Sequence, residues 1–196
     1  MTNIPNLSSI KSGGYLEGQL LIATPLITES CFNHSVLYMC SHGKEGAMGV
    51  IINHTLSELT YEEVLKQLKI TPTEDLTRRP IYLGGPVEAS RGLVIHSPDY
   101  QHPDTVPLSD EISVTANLRV LQDIVAGNGP KKHLLALGYA GWSPGQLEAE
   151  IEANSWISVP ASPKLIFDTE DNKKWESAAK SVGVDMLKLS GAAGHA

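Results

Sequence analysis

The stretch that most constrains this fold runs from Leu134 to Ile151, LLALGYAGWSPGQLEAEI. Its apolar beginning predicts a buried strand, and the glycines after it predict a turn. Ser143 is a candidate N-cap, Pro144 suits the first helical position, and Gln146 would complete a capping box. Strand, turn and capped helix would together form a rigid platform. The side chains on that platform would be Tyr139, Trp142, Gln146 and Glu148.

The pentapeptide from Gly141 to Gly145 also matches the G-x-S-x-G pattern of a hydrolase nucleophile elbow. The oxyanion hole of such enzymes uses the backbone N–H of the residue after the nucleophile, and Pro144 has no N–H. The triad also needs a downstream histidine, and the sequence offers only the penultimate residue, His195. We therefore predict that Ser143 caps a helix and that the chain is not a serine hydrolase.

Composition argues against several classes of partner. The formal net charge is -7, from 15 Lys+Arg against 22 Asp+Glu, and the sequence contains no long basic run. Specific nucleic-acid binding and binding to an anionic membrane both need a concentrated basic surface, so we expect neither. The N-terminus lacks the apolar core of a signal peptide, and no apolar run is long enough to span a bilayer. We therefore expect a cytoplasmic protein.

Hydrophobic periodicity predicts short strands and helices in irregular alternation. Thr60 and Glu63 form a capping box for a helix over 60–69, and Asn117 caps a second helix. A third helix follows Ser143, and a fourth covers about 170–182. The predicted strands cover residues 18–23, 35–40, 48–53, 81–83, 92–96, 112–115, 134–137 and 155–159.

These elements lack the regular βα repeat of a doubly wound sheet, which favours a mixed α/β (α+β) fold. We predict a flexible leader over residues 1–14 and a single domain over residues 15–196. The segment 97–109 contains three prolines and is predicted to be a long mobile loop.

Cys31, His34, Cys40 and His42 raise the hypothesis of a zinc site. The chain between His34 and Cys40 is predicted to be extended, which places them roughly 20 Å apart. One tetrahedral ion cannot reach both residues. A site that Cys40 and His42 share with distant residues is the alternative, but a buried cysteine and a loop histidine are favoured. We therefore predict no metal, and no pattern in the sequence predicts a cofactor.

Several motifs follow one another in a characteristic order: GQLLIATP, EGAMGVIIN, YLGGPV, RGLVIHS, LGYAGWSPGQLEAEI, NSWISVP, LIFD and GHA. By these motifs the chain resembles the AlgH/YqgE family of uncharacterised bacterial proteins. The resemblance implies one compact domain whose bent, bifurcated sheet approaches a pseudo-barrel flanked by about four helices. It implies no established enzyme activity. The family name hints at a regulatory role in exopolysaccharide production, but that role belongs to one member and does not carry over. Transcriptional regulation is a further expectation. His34 and His54 occupy positions where basic residues are expected in the family.

Two functional hypotheses follow. We favour a non-enzymatic regulatory or binding module that acts through a protein partner or a small ligand. The alternative is a small-molecule enzyme whose cleft would be lined by His42, His96, Tyr139, Trp142 and Glu148. The oligomeric state stays open.

The predicted binding site lies where the Gly84-Gly85-Pro86 turn approaches the glycines of the 138–145 stretch. Glycines allow a ligand to approach the backbone closely, and a helix N-terminus favours anionic groups. Tyr139 and Trp142 would supply apolar contact, and Gln146 or Glu148 would orient the ligand. The alternative is that the glycines are present only because the two turns pack against each other, with no ligand between them.

Overall fold

The computed structural model of the protein describes residues 16–72 and 74–186, and these contain nine β-strands and five α-helices. The predicted leader over residues 1–14 and His195 lie outside the described residues. The strands are β1 (Gln19–Ala23), β2 (Val36–Gly43), β3 (Gly46–Ile51), β4 (Ile81–Leu83), β5 (Val87–His96), β6 (Thr105–Pro107), β7 (Ser113–Thr115), β8 (His133–Trp142) and β9 (Trp156–Pro160). The helices are α1 (Tyr61–Gln67), α2 (Glu74–Thr77), α3 (Arg119–Val125), α4 (Gln146–Glu152) and α5 (Asp171–Ser181), and a π-helical turn spans Lys164–Asp168.

The strands form a sheet that branches at β8. Neighbouring strands follow the order β6-β7-β5-β8-β3-β2-β1-β9, and β4 pairs with β8 off this path. The pairing of β4 with β8 is parallel, whereas the pairs along the path are antiparallel. The first half of β8 pairs with β4 and β5, but its last residues, from Ala140 to Trp142, pair with β3. The predicted mixed fold with a bent, bifurcated sheet is therefore confirmed.

The branch coincides with Gly138, where the backbone of β8 adopts a φ of +73°. L-residues rarely adopt positive φ, so this position favours glycine. Leu134 and Ala136 face one apolar cluster, and Tyr139, rather than residue 138, continues on that face. The kink thus shifts the alternation of side chains by one residue. Trp142 consequently faces a different cluster from Tyr139.

The connection between β4 and β5 packs its backbone directly against this kink. The N–H of Gly84 donates a hydrogen bond to the carbonyl oxygen of Leu137 at 2.8 Å. A Cβ atom on Gly84 would lie 2.1 Å from the carbonyl oxygen of Gly138, and one on Gly85 would lie 2.2 Å from the carbonyl carbon of Tyr139. The two backbones therefore touch, and no side chain fits between them. We term this contact the glycine junction.

Three apolar clusters pack on the branched sheet. The first includes Ala178 and Ala179 of α5 and is covered by that helix. The second packs against α4 through Leu147. The third packs against α1 and α3 through Leu65 and Leu121. The branching sheet therefore supports several small cores instead of one continuous layer.

Local sequence signals determine where α1 and α3 begin. The predicted capping box of α1 is confirmed: Glu63 N–H donates to Thr60 Oγ1 at 3.2 Å, and Thr60 N–H donates to Glu63 Oε2 at 2.8 Å. The predicted cap at Asn117 is displaced by one residue: the N-cap of α3 is Leu118, which makes no side-chain cap, although Asn117 Oδ1 accepts a hydrogen bond from the N–H of Arg119 at 2.9 Å. In the described part of the chain, no helix combines the length and apolar character needed to cross a bilayer.

The predicted cap at Ser143 is wrong. α4 begins at Gln146, and its N-cap is Gly145, which has φ 76° and ψ -8° and provides no side-chain cap. Pro144 and Gly145 instead form the centre of a type II turn, closed by a 3.0 Å bond from Gln146 N–H to the Ser143 carbonyl. Proline at the second position and glycine at the third are what this turn requires.

The turn predicted directly after Leu137 is also wrong, because β8 continues to Trp142.

Part of the segment predicted as a long mobile loop, residues 97–109, belongs to the sheet. It contains β6, which pairs with β7 at the sheet edge. Pro107 is compatible with that position because an edge strand can leave one side unpaired. Tyr100 is buried, and its hydroxyl donates to Asp123 Oδ2 at 2.6 Å. Tertiary contacts that the local sequence does not report therefore order this segment.

The glycine junction predicts a large effect of one methyl group. Gly85→Ala should destabilise the protein by about 3 kcal/mol or more, because the backbone has φ +152° and the new Cβ would overlap the backbone of Tyr139. Gly43→Ala is the matched control, since nothing lies within 4 Å of its Cβ position. Urea unfolding of both variants measures the difference. Equal stabilities would contradict the described junction.

Candidate functional site

A surface cleft of about 370 Å³ opens beside the second apolar cluster, and we term it the aromatic cleft. Its walls come from the loop between β1 and β2, the end of β8, α4 and the beginning of β9. These segments are distant in sequence and are brought together by the sheet. The lining residues are Leu26, Ile27, Thr28, Glu29, Phe32, Gly141, Trp142, Gln146, Glu150, Ser155 and Trp156.

The sheet register positions the two tryptophans of the cleft. Trp142 is paired with Ala47 of β3, and Trp156 is paired with Ala23 of β1. The indole rings meet at 84° with centroids 5.8 Å apart, and Phe32 meets Trp156 at 84° and 5.9 Å. Edge-to-face contact is a favoured geometry for aromatic pairs. Both indoles are buried, so they form a rigid wall and expose little of their surface to the cleft.

Glu150 joins these elements through its carboxylate. Its Oε2 accepts hydrogen bonds from Trp142 Nε1 at 2.9 Å and Trp156 Nε1 at 2.7 Å. Its Oε1 accepts a hydrogen bond from Gln146 Nε2 at 2.9 Å. Gln146 in turn accepts the N–H of Ser143 through Oε1 at 3.0 Å. One half-buried carboxylate therefore connects the ends of two strands with the first turn of α4.

The charge of the cleft is negative. Of the residues that the structure describes, Glu29 and Glu150 are its charged lining residues, and no Lys, Arg or His side chain lines it. Among the described residues, the carboxylate of Glu29 has no ion-pair partner. Burial and, to a smaller extent, the charge of Glu29 raise the pKa of the neighbouring Cys31 thiol. The cleft therefore offers a negative potential to a ligand.

The structure separates the residues of the predicted site. Trp142 and Gln146 line the aromatic cleft, whereas Gly84 and Gly85 are buried in the glycine junction and Pro86 is exposed beside it. The predicted approach of the two glycine segments is found. It is a backbone-to-backbone contact, and the space that a Cβ would need is already filled on both sides.

Tyr139 belongs to a second group of polar contacts on the β5 side. Its hydroxyl donates to Glu88 Oε1 at 3.1 Å, and Arg91 Nη1 pairs with Glu88 Oε2 at 3.1 Å. Burial and the neighbouring Glu88 raise the pKa of Tyr139. Glu88 itself has a φ of 46°, within the irregular pairing between Val87 and Gly92 of β5. Tyr139 is therefore engaged away from the aromatic cleft.

Glu148 lies on the opposite flank of α4 from the cleft. Gln146 and Glu150 are four residues apart and share one flank of the helix, whereas Glu148 points to the other. There its Oε1 lies 3.0 Å from Nε2 of His42, whose side chain is buried. The structure therefore joins His42 and Glu148, two residues of the cleft in the enzyme hypothesis, and neither of them lines the pocket that Trp142 lines.

His96 is fully buried and held in one tautomer by a chain of hydrogen bonds. Nδ1 lies 2.8 Å from the Ser97 carbonyl, which can only accept, so Nδ1 carries the proton. Nε2 then accepts from Thr115 Oγ1 at 2.8 Å, and Thr115 Oγ1 lies 2.7 Å from Thr105 Oγ1. This arrangement serves the packing of β5 against β7. Burial lowers the pKa of His96.

The two histidines at the family's expected basic positions lie in one corner. His34 has a φ of 55° and meets the ring of Trp175 edge to face at 4.3 Å. His54 interacts with the backbone of the turn that ends at His34, and burial lowers the pKa of His54. A lowered pKa favours the neutral form of His54. We find here two side chains that stabilise the turn before β2.

The sequence cluster considered for zinc is dispersed by β2. Cys40 is fully buried, its Sγ donates to the Tyr38 carbonyl at 3.8 Å, and burial raises its pKa to about 12. Cys31 lies instead on the loop that precedes the strand, and His42 pairs with Glu148. In the described ranges, no three His, Cys, Asp or Glu side chains are grouped to hold a metal ion.

Sequence reasoning missed most of the lining of the cleft. Glu29 and Phe32 come from a loop whose approach depends on the pairing of β1 with β9. The sequence did contain a signal for Glu150 as a lining residue. Residues four apart on a helix share one flank, and Glu150 follows Gln146 by four. Trp156 was visible in the NSW motif, but only the sheet register places it beside Trp142.

The branched sheet, the glycine junction and the GWSPGQLEAEI segment define an AlgH-like α+β protein, and the comparisons agree. The model of the AlgH-like family matches residues 20–187, so the chain belongs to this family. A UPF0301 protein of Methylobacterium sp. strain 4-46 is 45% identical over 100% of this chain and 96% of its own length. A UPF0301 protein of Ruegeria pomeroyi is 47% identical over 92% of this chain and 99% of its own length.

Two solved structures share the fold. The solution structure of AlgH from Pseudomonas aeruginosa superposes with a TM-score of 0.77 at 40% identity, covering 95% of this chain and 99% of that one. A crystal structure of a Corynebacterium diphtheriae protein superposes with a TM-score of 0.73 at 18% identity, covering 97% of this chain and 99% of that one. The second likeness shows the fold alone.

The network around Glu150 predicts a specific loss of stability. Glu150→Ala should reduce the free energy of unfolding by about 1–3 kcal/mol, because two indole N–H groups lose a charged acceptor. Glu152→Ala, at an exposed position of the same helix, should change it by less than about 0.5 kcal/mol. Chemical unfolding followed by tryptophan fluorescence measures both. Equal effects would contradict the assigned network.

His96 predicts a pH dependence of stability. Its folded-state pKa lies below the ordinary value of 6.5, so the unfolded chain binds the proton more readily. The stabilising contribution is present above about pH 6.5 and is lost as the pH falls toward the folded pKa. His96→Asn should therefore flatten the fall in unfolding free energy between about pH 7 and 5. A slope in His96→Asn equal to that of the unsubstituted protein would contradict the assignment.

Proposed function

We propose that this protein is a non-enzymatic binding module that holds an organic cation, a guanidinium or an alkylammonium group, in the aromatic cleft. The observation that carries the proposal is that two carboxylates, Glu29 and Glu150, line the cleft while no basic side chain of the described residues does. A cation in the cleft would match this charge. An anion would meet repulsion from both carboxylates.

The walls of the cleft support the same choice. Phe32 is half-buried and stands against Trp156, so it offers a partly exposed ring that is held in one orientation. Guanidinium groups stack on aromatic faces and bind carboxylates through several N–H donors. Leu26 is 59% exposed at the rim and supplies apolar contact for an aliphatic stem. The network around Glu150 orders the floor of the cleft in advance, which reduces the entropic cost of binding.

The chemistry of the lining favours binding over turnover. Its polar groups are carboxylates, the Gln146 amide and the hydroxyls of Thr28 and Ser155. A hydroxyl nucleophile needs a base within hydrogen-bonding distance that is itself oriented by a third group. Glu150 is instead engaged by indole and amide donors. A regulatory module that senses a free cation, or docks a basic side chain of a protein partner, needs nothing more from these residues.

Calorimetric titration of the full chain tests the proposal. The probes are methylguanidinium and the blocked tripeptide Gly-Arg-Gly, and the neutral control is the same tripeptide with citrulline. The Arg peptide should bind and the citrulline peptide should not, because only the first carries the charge. Binding of methylguanidinium as well would identify a free cation as a sufficient ligand, whereas binding of the peptide alone would identify a protein side chain.

Two variants distinguish binding in the aromatic cleft from nonspecific attraction of a cation to an acidic protein. Glu29→Gln should weaken the binding of the Arg peptide by about two- to fivefold, the range expected for an exposed ion pair. Glu152→Gln removes the same charge from an exposed position outside the lining and should leave the affinity unchanged. Equal losses in both variants, or equal binding of the citrulline peptide, would refute the proposed function.

A further inference from the structure

Strand β9 ends the sheet, and its outer side is unpaired by the residues that the structure describes. Within those residues the strand is the last in the path and pairs with β1 alone. A free sheet edge presents a row of N–H and C=O groups on which another extended chain can pair. We term the outward side of Trp156–Pro160 the β9 edge.

The register between β1 and β9 identifies the groups that point outward. Thr24 N–H donates to the Ser155 carbonyl at 2.9 Å, so the residues two and four positions after Ser155 direct their backbone groups toward β1. The residues between them direct theirs away, because the two kinds of position alternate in an antiparallel pair. These are Trp156, Ser158 and Pro160. Proline has no N–H, so Trp156 and Ser158 supply the donors of the β9 edge.

Both faces of β9 are already covered by other parts of the protein. The side chain of Trp156 packs in the second apolar cluster, and that of Val159 packs in the first. No hydrogen bond from another described residue reaches the backbone N–H of Trp156 or Ser158. Backbone groups need a partner from the protein or from water. The edge is therefore the side of β9 that can still receive another chain.

The β9 edge begins at the aromatic cleft. Ser155 and Trp156 belong to both, since they line the cleft and open the strand. In an added strand, the residue directly opposite Trp156 would place its side chain on the same face of the sheet, with the two Cβ atoms about 5 Å apart. Trp156 Nε1 donates to Glu150 Oε2 at 2.7 Å. A long basic side chain opposite Trp156 would therefore have this carboxylate within reach.

We infer that the partner of this protein is an extended peptide segment that pairs with the β9 edge and places an arginine or a lysine opposite Trp156. The inference rests on the proposed function, because that basic side chain is the cation held in the aromatic cleft. Main-chain hydrogen bonds supply affinity in this mode of recognition, and the side-chain pocket supplies specificity. The edge has only two donors, so the cleft and the edge act together.

The charges and the sequence of β9 favour a basic peptide over a second copy of the chain. The cleft beside the edge is lined by Glu29 and Glu150, and β9 itself contains no charged residue. Two copies, each with a formal net charge of -7, would repel each other. Antiparallel pairing of two β9 strands about Ser158 would also set Pro160 opposite Trp156. The Trp156 carbonyl would then face a residue without an N–H.

The blocked pentapeptide Val-Thr-Val-Arg-Val tests the pairing by calorimetric titration of the full chain. Its arginine should lie opposite Trp156 and its threonine opposite Ser158. It should bind about tenfold more tightly than the blocked tripeptide Gly-Arg-Gly, because it adds main-chain hydrogen bonds. N-methylation of the threonine and arginine amides should remove this gain. N-methylation of the middle and last valine amides is the matched control, because their N–H groups point away from β9.

The outcomes separate the two proposals. Equal affinities of the pentapeptide and Gly-Arg-Gly would overturn the pairing with β9 and leave the cation site in place. Failure of the cation site would appear instead as equal binding of Gly-Arg-Gly and its citrulline counterpart. A citrulline form of the pentapeptide that binds as tightly as the arginine form would overturn the basic character assigned to the partner.

Amide hydrogen exchange locates the pairing residue by residue. Saturation with the pentapeptide should slow exchange at Trp156 and Ser158 on the order of tenfold, because both N–H groups gain an acceptor. Ile157 and Val159 should change little, since their N–H groups already point toward β1. Unchanged exchange at Trp156 and Ser158 would overturn the inference. A peptide-free dimer in which these two amides are already protected would make a second copy the occupant and overturn it as well.

Two variants of Ser158 complete the test. Ser158→Pro removes the outward N–H at an edge position where proline is tolerated, and it should lower the affinity of the pentapeptide to that of Gly-Arg-Gly. Ser158→Ala is the matched control, because it keeps the N–H and also removes the hydroxyl that donates to Gln19 Oε1. Both variants should still bind Gly-Arg-Gly, which reports an intact cleft. Equal pentapeptide affinities of the two variants would contradict the pairing.

Discussion

The contact on which the rest of the structure depends is the backbone-to-backbone junction of Gly84 and Gly85 with Gly138 and Tyr139. It brings the β4–β5 connection against the middle of β8 and allows that strand to change partners, from β4 and β5 to β3. The kink at Gly138 also changes which side chains face which cluster. Trp142 reaches the second cluster for this reason. Architecture and candidate site are therefore linked through β8.

Glu150 links the end of β8 to the surface of the aromatic cleft. The carboxylate holds the indoles at the end of β8 and the beginning of β9, and it also holds Gln146 at the start of α4. The hydrogen bonds fix the Glu150 carboxylate in position. A negative charge that is fixed in advance lowers the entropic cost of binding a cation. Glu29 comes from the loop between β1 and β2 and has no ion-pair partner in the described residues. The first carboxylate organises the cleft, and the second leaves its charge available to a ligand.

Sequence reasoning succeeded where the physical signal is local or motif-based. The capping box at Thr60 is a contact between residues three apart, and it is present as predicted. The bifurcated sheet followed from the family resemblance and is confirmed. At Ser143 two local signals competed, and the Pro-Gly turn prevailed over the cap. The cleft itself depends on strand register, since Glu29 and Glu150 line one cleft only after β9 pairs with β1, and no local pattern encodes that pairing.

The account's central claim is that the glycine motif is architectural and that ligand recognition occurs in the aromatic cleft beside it. Intermolecular nuclear Overhauser effects between methylguanidinium and the full chain test this claim most directly, because they report the place of contact rather than its strength. We expect cross-peaks from the methyl protons to the ring protons of Phe32 and Trp156, and none to Tyr139. Cross-peaks to Tyr139 and the α-protons of Gly85 alone would place the ligand at the glycine junction and contradict the account.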